Sequence, residues 1–245
     1  MSGKPLTKRW VKLPETRLHV ELLYHTPAPE KACAAAARQC YSPRGASELM
    51  QALSDEEATR LVRQVVKSGH HSVLEHASFT FAAEGISRAC THQLVRHRLA
   101  SYSQQSQRYV KAKDFNYIVP QSVKAKGKER QFADFMAAAA ALYAELGEAG
   151  IDKEDARFVL PNACETKIVI TMNSRELLHF FEKRTCSRAQ WEIRALAGEM
   201  LRLCKEKAPI IFENAGPSCV SRLECREGKM SCGRWKSIQG ARLVE

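Results

Sequence analysis

One stretch constrains this chain more than any other: Arg96-His97-Arg98-Leu99-Ala100-Ser101-Tyr102-Ser103-Gln104-Gln105-Ser106-Gln107-Arg108-Tyr109. It holds three arginines, a histidine, three serines, three glutamines and two tyrosines, and no acid. A fold that buries any part of it has to bring anions to the guanidinium groups from elsewhere, either acidic side chains or a ligand. Guanidinium forks beside short hydroxyls suit phosphate, and they also suit the carbonyl-rich edge of a nucleobase. A charge run is ordinarily a solvated loop. This one differs in being built from hydroxyls and amides rather than lysine, and in following directly on an apolar, helix-like segment.

The whole chain leans the same way, with a net charge of +11 over 245 residues and a pI near 9.3. That balance implies anionic partners. Nucleic acid is the common case, and an enzyme with phosphorylated or carboxylated ligands is the alternative. Aromatic residues make up only 7%, and no aromatic-basic RNA-binding motif is present, so charge alone does not choose. The length allows one sizeable core. Apolar runs are too short to span a membrane, and Met1–Pro5 lacks the apolar core of a signal peptide, so a cytoplasmic location is expected. There the nine cysteines would be mostly reduced, and their odd number fits no complete disulfide framework.

Periodicity places the elements. Arg17–Tyr24 alternates as a half-buried strand, and alanine-rich Pro29–Cys40 reads as a helix. Ser54 and Glu57 form a capping box for a helix with Ala58, Leu61, Val62, Val65 and Val66 on one face, stopped by Gly69. His70-His71-Ser72-Val73-Leu74-Glu75-His76 then lies past a helix end, with no helix expected there. Three histidines and a glutamate suggest a metal, but the spacing is not that of a helical His-Glu-x-x-His site, and histidines bonded to backbone are the plainer reading. Ser78–Ala82 is a strand, and Ser87 caps a short helix to about Val95.

Further on, Phe115–Pro120 is extended and Lys124–Lys128 reads as a mobile basic linker. Gln131–Leu146 is a helix, and a shorter one runs from Asp152 to Pro161. Thr166–Met172 is β-branched and reads as a buried strand. Asn173, with Glu176 in capping-box position, opens a helix that breaks near Arg184. Ser187 and Gln190 form another capping box, for a helix closed by Pro209. In the tail, Cys219, Cys225 and Cys232 are spaced too widely for a zinc knuckle and no histidine accompanies them, so no metal is expected. No internal repeat and no domain linker is visible.

The Arg96–Arg108 run resembles the signature of the flavin-dependent thymidylate synthases, Arg-His-Arg-x-x-Ser-x-Asn-x-x-Ser-x-Arg. Arg96, His97, Arg98, Ser101, Ser106 and Arg108 fit, and Ser103 stands where the pattern has Asn. His70, Ser72, Glu75 and His76 resemble the family's His-x-Ser/Thr-x-x-Glu-His segment. Ala156–Pro161 resembles Ala-Arg-x-x-Leu-Pro, and Asn173–Leu177 resembles Asn-x-Arg-x-Leu. Arg184 with Ala189-Gln190-Trp191-Glu192-Ile193 resembles Arg-x-x-x-x-Ala-Gln-x-Glu-Ile. The motifs run in family order from His70 to Ile193.

The resemblance implies an α+β fold, a mixed β-sheet flanked by helices in a single catalytic domain over residues 1–217, with 218–245 as a Cys- and Gly-containing tail. It implies a homotetramer with sites at subunit interfaces, and no nucleic-acid or membrane partner. The implied reaction is reductive methylation of dUMP to dTMP, with methylenetetrahydrofolate as carbon donor and NADPH as reductant through tightly held FAD. No cysteine nucleophile takes part. Carried over residue by residue, the dUMP contacts are Gln93, Arg96, Gln104, Ser106, Gln107, Arg108, Arg157 and Arg184, with Arg184 catalytic. The FAD contacts are His70, Ser72, Glu75, Arg96, His97, Arg98, Asn173, Arg175, His179 and Arg188. Glu75 could also pair with an arginine of the signature run. The chain has no Gly-x-Gly-x-x-Gly, so FAD would be held without a Rossmann turn.

Overall fold

A computed structural model describes residues 14–110 and 115–245. The N-terminal segment read for a signal peptide lies outside the described residues. Strands are β1 (His19–His25), β2 (Ser78–Ser87), β3 (Ala100–Gln104), β4 (Glu165–Asn173), β5 (Glu224–Cys225) and β6 (Arg242–Leu243). Helices are α1 (Pro29–Gln39), α2 (Ala46–Ala52), α3 (Asp55–Ser68), α4 (Arg88–Leu94), α5 (Gln121–Ala125), α6 (Glu129–Glu148), α7 (Lys153–Ala156), α8 (Ser174–Arg184), α9 (Trp191–Lys207) and α10 (Ser218–Ser221). The α+β class holds. The expected mixed sheet does not: the four-stranded sheet, ordered β1-β2-β4-β3, is antiparallel, and parallel pairing of named strands is confined to β5 with β6.

Alternation explains the inner strands. On β2, Phe79, Phe81 and Ala83 are buried. On β4, Thr166, Ile168, Ile170 and Met172 turn inward while Lys167 and Val169 stay exposed. The strand expected to be buried throughout therefore buries one face only, which is the ordinary condition of an antiparallel strand.

Capping sets the main helix starts. Ser54 Oγ accepts from Glu57 N–H at 3.2 Å, and Gly69, at φ 75°, closes α3. Asn173 Oδ1 accepts from Glu176 N–H at 2.9 Å and opens α8. Cys90 N–H donates to Ser87 Oγ at 3.1 Å at the start of α4.

Three local expectations are corrected. Gln190, not a Ser187–Gln190 box, caps α9, with its side-chain oxygen accepting from Glu192 and Ile193 N–H. His71–His76 winds into a 3₁₀ helix rather than a plain connection, anchored by buried Leu74. Lys124 and Ala125 end α5 instead of forming a linker, and Lys124 Nζ is paired with Glu15. Helix α2 went unforeseen because only Leu49 of its seven residues is buried, which leaves almost no periodic signal.

The described residues divide into two compact units, one comprising residues 14–19, 84–92, 104–110 and 115–167, the other 20–83, 93–103 and 168–245. In the first, Phe115, Tyr117, Val119, Met136, Ala140 and Cys164 form a core with Phe132 packed against it. In the second, Phe79, Phe81, Phe180, Phe181 and Phe212 make a chain of ring contacts with centroids 5.6–6.5 Å apart. Such edge-on and offset pairs add to the area term of burial.

Gly85 is the glycine that the first unit cannot replace. Its φ is 68°, and a Cβ there would lie 1.8 Å from the Arg17 carbonyl oxygen. Its N–H donates to Glu165 Oε1 at 2.9 Å. Gly85→Ala is expected to lower stability by at least about 2 kcal/mol, from the left-handed backbone and the clash together. Thermal or urea unfolding reads this, and an unchanged midpoint would contradict it.

Candidate active site

The signature run divides at Ser103. Arg96, His97 and Arg98 belong to the second unit, Gln104 through Arg108 to the first, and each group acquires its own surroundings.

In the second unit His97 is the centre. It is 6% exposed, in the connection between α4 and β3. Its Nδ1 lies 3.0 Å from Glu176 Oε1, and its Nε2 accepts from Arg184 Nε at 3.1 Å. Arg184 also donates from Nη2 to the Gln93 carbonyl at 3.1 Å. The Tyr102 hydroxyl is 2.8 Å from the His97 carbonyl and 2.9 Å from that of Leu94. Phe180 meets the imidazole edge-on at 4.9 Å. Burial holds the His97 pKa below its ordinary value; the Glu176 hydrogen bond opposes this, and Arg184 and His179 add to it. Neutral His97 also agrees with an Nε2 that accepts from a guanidinium, which has only donors. Burial likewise raises the Tyr102 phenol, so it is a hydrogen-bonded hydroxyl at neutral pH.

Around this centre, Arg175 and His179 line a cavity of about 1120 Å³ within the second unit. Its walls combine cations (Arg63, Lys67, Arg175, Arg222) and the acids Glu176, Glu182 and Glu213 with apolar Ile210 and Ile211; Arg63 pairs with Glu213 and Arg222 with Glu182. A dinucleotide with an anionic diphosphate and flat aromatic ends needs both kinds of surface, and FAD is of that class. Glu75 pairs with Arg175 at 2.5 Å, and not with an arginine of the signature run. Asn173 spends its side-chain oxygen capping α8. His70, Ser72, Arg96 and Arg98 are exposed. Arg188 is exposed and lines a different, small cavity with Cys186, Cys219, Cys225 and Cys232. His71 Nε2 is 3.3 Å from the Val66 carbonyl, so one histidine of that segment is bonded to backbone. Among the described residues no three His, Cys, Asp or Glu side chains gather so as to hold a metal.

In the first unit, Ser106 and Gln107 line a second cavity of about 180 Å³. The turn is built locally: Ser106 Oγ accepts from Arg108 N–H at 3.1 Å, and Val110 N–H donates to the Ser106 carbonyl. Among the described residues the Ser106 hydroxyl proton is left for another acceptor. Gln104 donates from Nε2 to the Thr91 and Thr166 hydroxyls. Arg108 pairs with Glu154 at 2.6–2.8 Å, and Arg157 Nε donates to the Glu154 carbonyl at 3.0 Å, which draws two expected nucleotide contacts to one residue. Arg88 was not anticipated. It donates to the Gln105 carbonyl at 2.6 Å, lines the same cavity, and its buried Nε has no hydrogen-bond partner among the described residues. An arginine in the first position of a short helix carries no local signal of such a role.

Cys164 also lines this cavity, and burial raises its pKa to about 12, with Arg88 opposing. All nine cysteines are free thiols. A thiol so raised is no nucleophile near neutrality. A thiol reagent at pH 8 is expected to modify exposed Cys40 and Cys232 rapidly, Cys232 having a lowered pKa chiefly through its Ser187 hydrogen bond. Cys33, Cys164 and Cys204 would react only on unfolding; prompt labelling of Cys164 in the native protein would refute the assignment.

Comparison with known proteins identifies the family. The family described as "Thymidylate synthase complementing protein" matches residues 21–210. The flavin-dependent thymidylate synthase of Geobacter sulfurreducens is 58% identical over 225 residues, covering 91% of this chain and 97% of the relative. That of Clostridium tetani is 49% identical over 232 residues, covering 88% and 93%, and that of Pyrococcus furiosus 42% identical over 220, covering 86% and 90%. With such likeness along most of its length, and with the signature's histidine and the arginine it holds meeting in the core, the chain belongs to the flavin-dependent thymidylate synthase family, whose members are enzymes of the transferase class.

Proposed function

We propose that the protein converts dUMP to dTMP by reductive methylation, taking carbon from methylenetetrahydrofolate and reducing equivalents from NADPH through bound FAD. The observation that carries this reading is Arg184, a guanidinium fixed at one edge by a buried neutral imidazole and a backbone carbonyl. A fixed cation of this kind hydrogen-bonds the carbonyls of a bound substrate ring and, without reorganising, stabilises the further negative charge that grows on them as the ring reacts. Arg184 therefore acts on the uracil, whose carbonyls gain charge as hydride reaches the ring, and Arg157 assists. Ser106, Gln107 and Arg108 hold the nucleotide phosphate: Ser106 donates its hydroxyl proton, and Arg108 exchanges part of its pairing with Glu154 for the ligand. Gln93, Arg96 and Gln104 complete the nucleotide contacts.

FAD, when bound, supplies the redox chemistry. Its diphosphate and ring edges suit the second unit's cavity, where Arg175 and His179 already stand. His70, Ser72, Arg96 and Arg98, which are exposed and do not line that cavity, are assigned as its polar contacts on motif position, with Glu75 orienting Arg175 and Asn173 setting the start of α8. The buried His97 ring serves it only indirectly. Arg188 is assigned to the flavin on motif position alone. The homotetramer, the cytoplasmic location and the division into residues 1–217 and a 218–245 tail are parts of the same proposal. No helix among the described residues is long and apolar enough to cross a membrane.

Release of tritium from C5-labelled dUMP, dependent on FAD, methylenetetrahydrofolate and NADPH, tests the reaction; a colourless protein that takes up no FAD would sink it. Arg184→Ala is expected to weaken dUMP binding by about 2–5 kcal/mol while FAD stays bound. Unchanged dUMP affinity would remove Arg184 from the nucleotide site. Ser106→Ala should lower turnover without abolishing it, because no carboxylate or imidazole stands at hydrogen-bond distance from Ser106 among the described residues to make it a nucleophile. A trapped serine adduct would overturn that.

Val220–Leu223 form part of the wall of the second unit's cavity, and Arg222 pairs with buried Glu182 at 2.7 Å. Truncation after Pro217 is therefore expected to weaken FAD retention, measured by flavin absorbance after gel filtration.

A further inference from the structure

We propose that Glu176, a carboxylate on the wall of the second unit's cavity, is a positioning residue for Arg184 and sets the orientation of the reactive guanidinium through the His97 imidazole. The inference rests on the reading of Arg184 given above. No motif of the signature includes Glu176 in this role; its recognisable sequence feature is only its place three residues after the Asn173 cap.

The geometry assembles in three steps. Glu176 and Arg184 both lie on α8, eight residues and about 12 Å apart along the helix axis. They are too far apart to pair directly, and Phe180 lies between them on the same stripe. His97 enters from outside the helix, seats its ring edge-on against Phe180, and spans the gap: Nδ1 to Glu176 at 3.0 Å, Nε2 to Arg184 at 3.1 Å. The Tyr102 hydroxyl, on β3, holds the His97 backbone from the other side.

The chemistry follows from the donors. Arginine offers only N–H, so His97 Nε2 accepts and the ring proton sits on Nδ1, donating to Glu176. The carboxylate selects that tautomer. Without it the ring could carry its proton on Nε2 and point N–H at N–H toward Arg184. A carboxylate only 6% exposed is costly unless it is used in this way, and an apolar residue would pack α8 as well. The charged and titratable groups facing His97 are Glu176, Arg184 and His179 from α8 and the Tyr102 hydroxyl from β3. Protonation of His97 would break the link to Arg184, so the relay predicts an acid limb in kcat/KM for dUMP. The Glu176 hydrogen bond favours the protonated ring, and removing its charge therefore moves that limb to lower pH.

The test uses the holoprotein and three readouts: visible flavin absorbance, kcat and KM for dUMP across pH, and the ¹⁵N shifts of His97. Glu176→Leu is expected to lower kcat/KM about 10- to 100-fold, the scale of a misplaced catalytic group, while flavin occupancy stays near wild type. Glu176→Gln keeps an acceptor for Nδ1–H. It should restore most of the activity at pH 8 and shift the acid limb downward. The ¹⁵N shifts should report the Nδ1–H tautomer in the wild type and in Glu176→Gln, and a mixture in Glu176→Leu. Unaltered kinetics in Glu176→Leu, an unmoved limb in Glu176→Gln, or flavin lost in step with activity would overturn the proposal. Should Glu176→Leu fail to fold, the Gln limb and the wild-type tautomer decide. The tautomer concerns the relay alone, whereas dUMP titration of Arg184→Ala concerns the functional reading, so the two can fail separately.

Discussion

Two carboxylates on α8, Glu176 and Glu182, are each only 6% exposed, and a buried carboxylate survives only with a partner. Glu176 takes the signature's histidine. Glu182 takes Arg222, from the segment after α10, and Lys183. Through these pairs one short helix ties down the Arg96–Arg98 connection on one side and the start of the C-terminal tail on the other. Its apolar residues Leu177, Phe180 and Phe181 are fully buried and continue the aromatic core. The second unit is thus organised by a helix whose acids fix what its hydrophobic face alone would leave free to shift.

A basic chain has little acid to spend, and its placement is informative. Two acids stand against arginines of the family motifs: Glu154 with Arg108, Glu75 with Arg175. Both pairs are about half exposed, so they contribute little to stability. Their effect is on orientation. Arg175 is held on the wall of the second unit's cavity, and Arg108 directly follows Ser106 and Gln107, which line the first unit's. The +11 balance that first suggested nucleic acid suits small anionic ligands equally well.

Elements with strong local signals were legible. Ser54 with Glu57 and Asn173 with Glu176 announce α3 and α8, because a cap is a contact over three residues and both partners are visible in the same line of sequence. The alternation of β2 and β4 is similarly local. Helix α2, the 3₁₀ turn at His71–His76 and the helical ending of α5 at Lys124 were not legible, since each depends on one or two residues packed against distant chain. Gln190 was recognised as part of a cap but put in the wrong position of it, an error of register that propensity alone does not prevent.

The sequence by itself determined the motif order, the α+β class, the capped helices and the family, all of which are properties of residue type at short spacing. Through the family resemblance it nominated Arg184, His97 and Arg175 as site residues. Tertiary structure decided what each of them does to the others: that His97 is buried between Glu176 and Arg184, that Glu75 meets Arg175 instead of the signature run, that Arg88 reaches Gln105, and that the tail walls a cavity. These contacts join residues 79, 87, 100, 17 and 40 positions apart. No spacing rule reaches that far, because the partner of a charge is chosen by which groups the packed core brings within 3 Å, and that choice is made only once the core has formed.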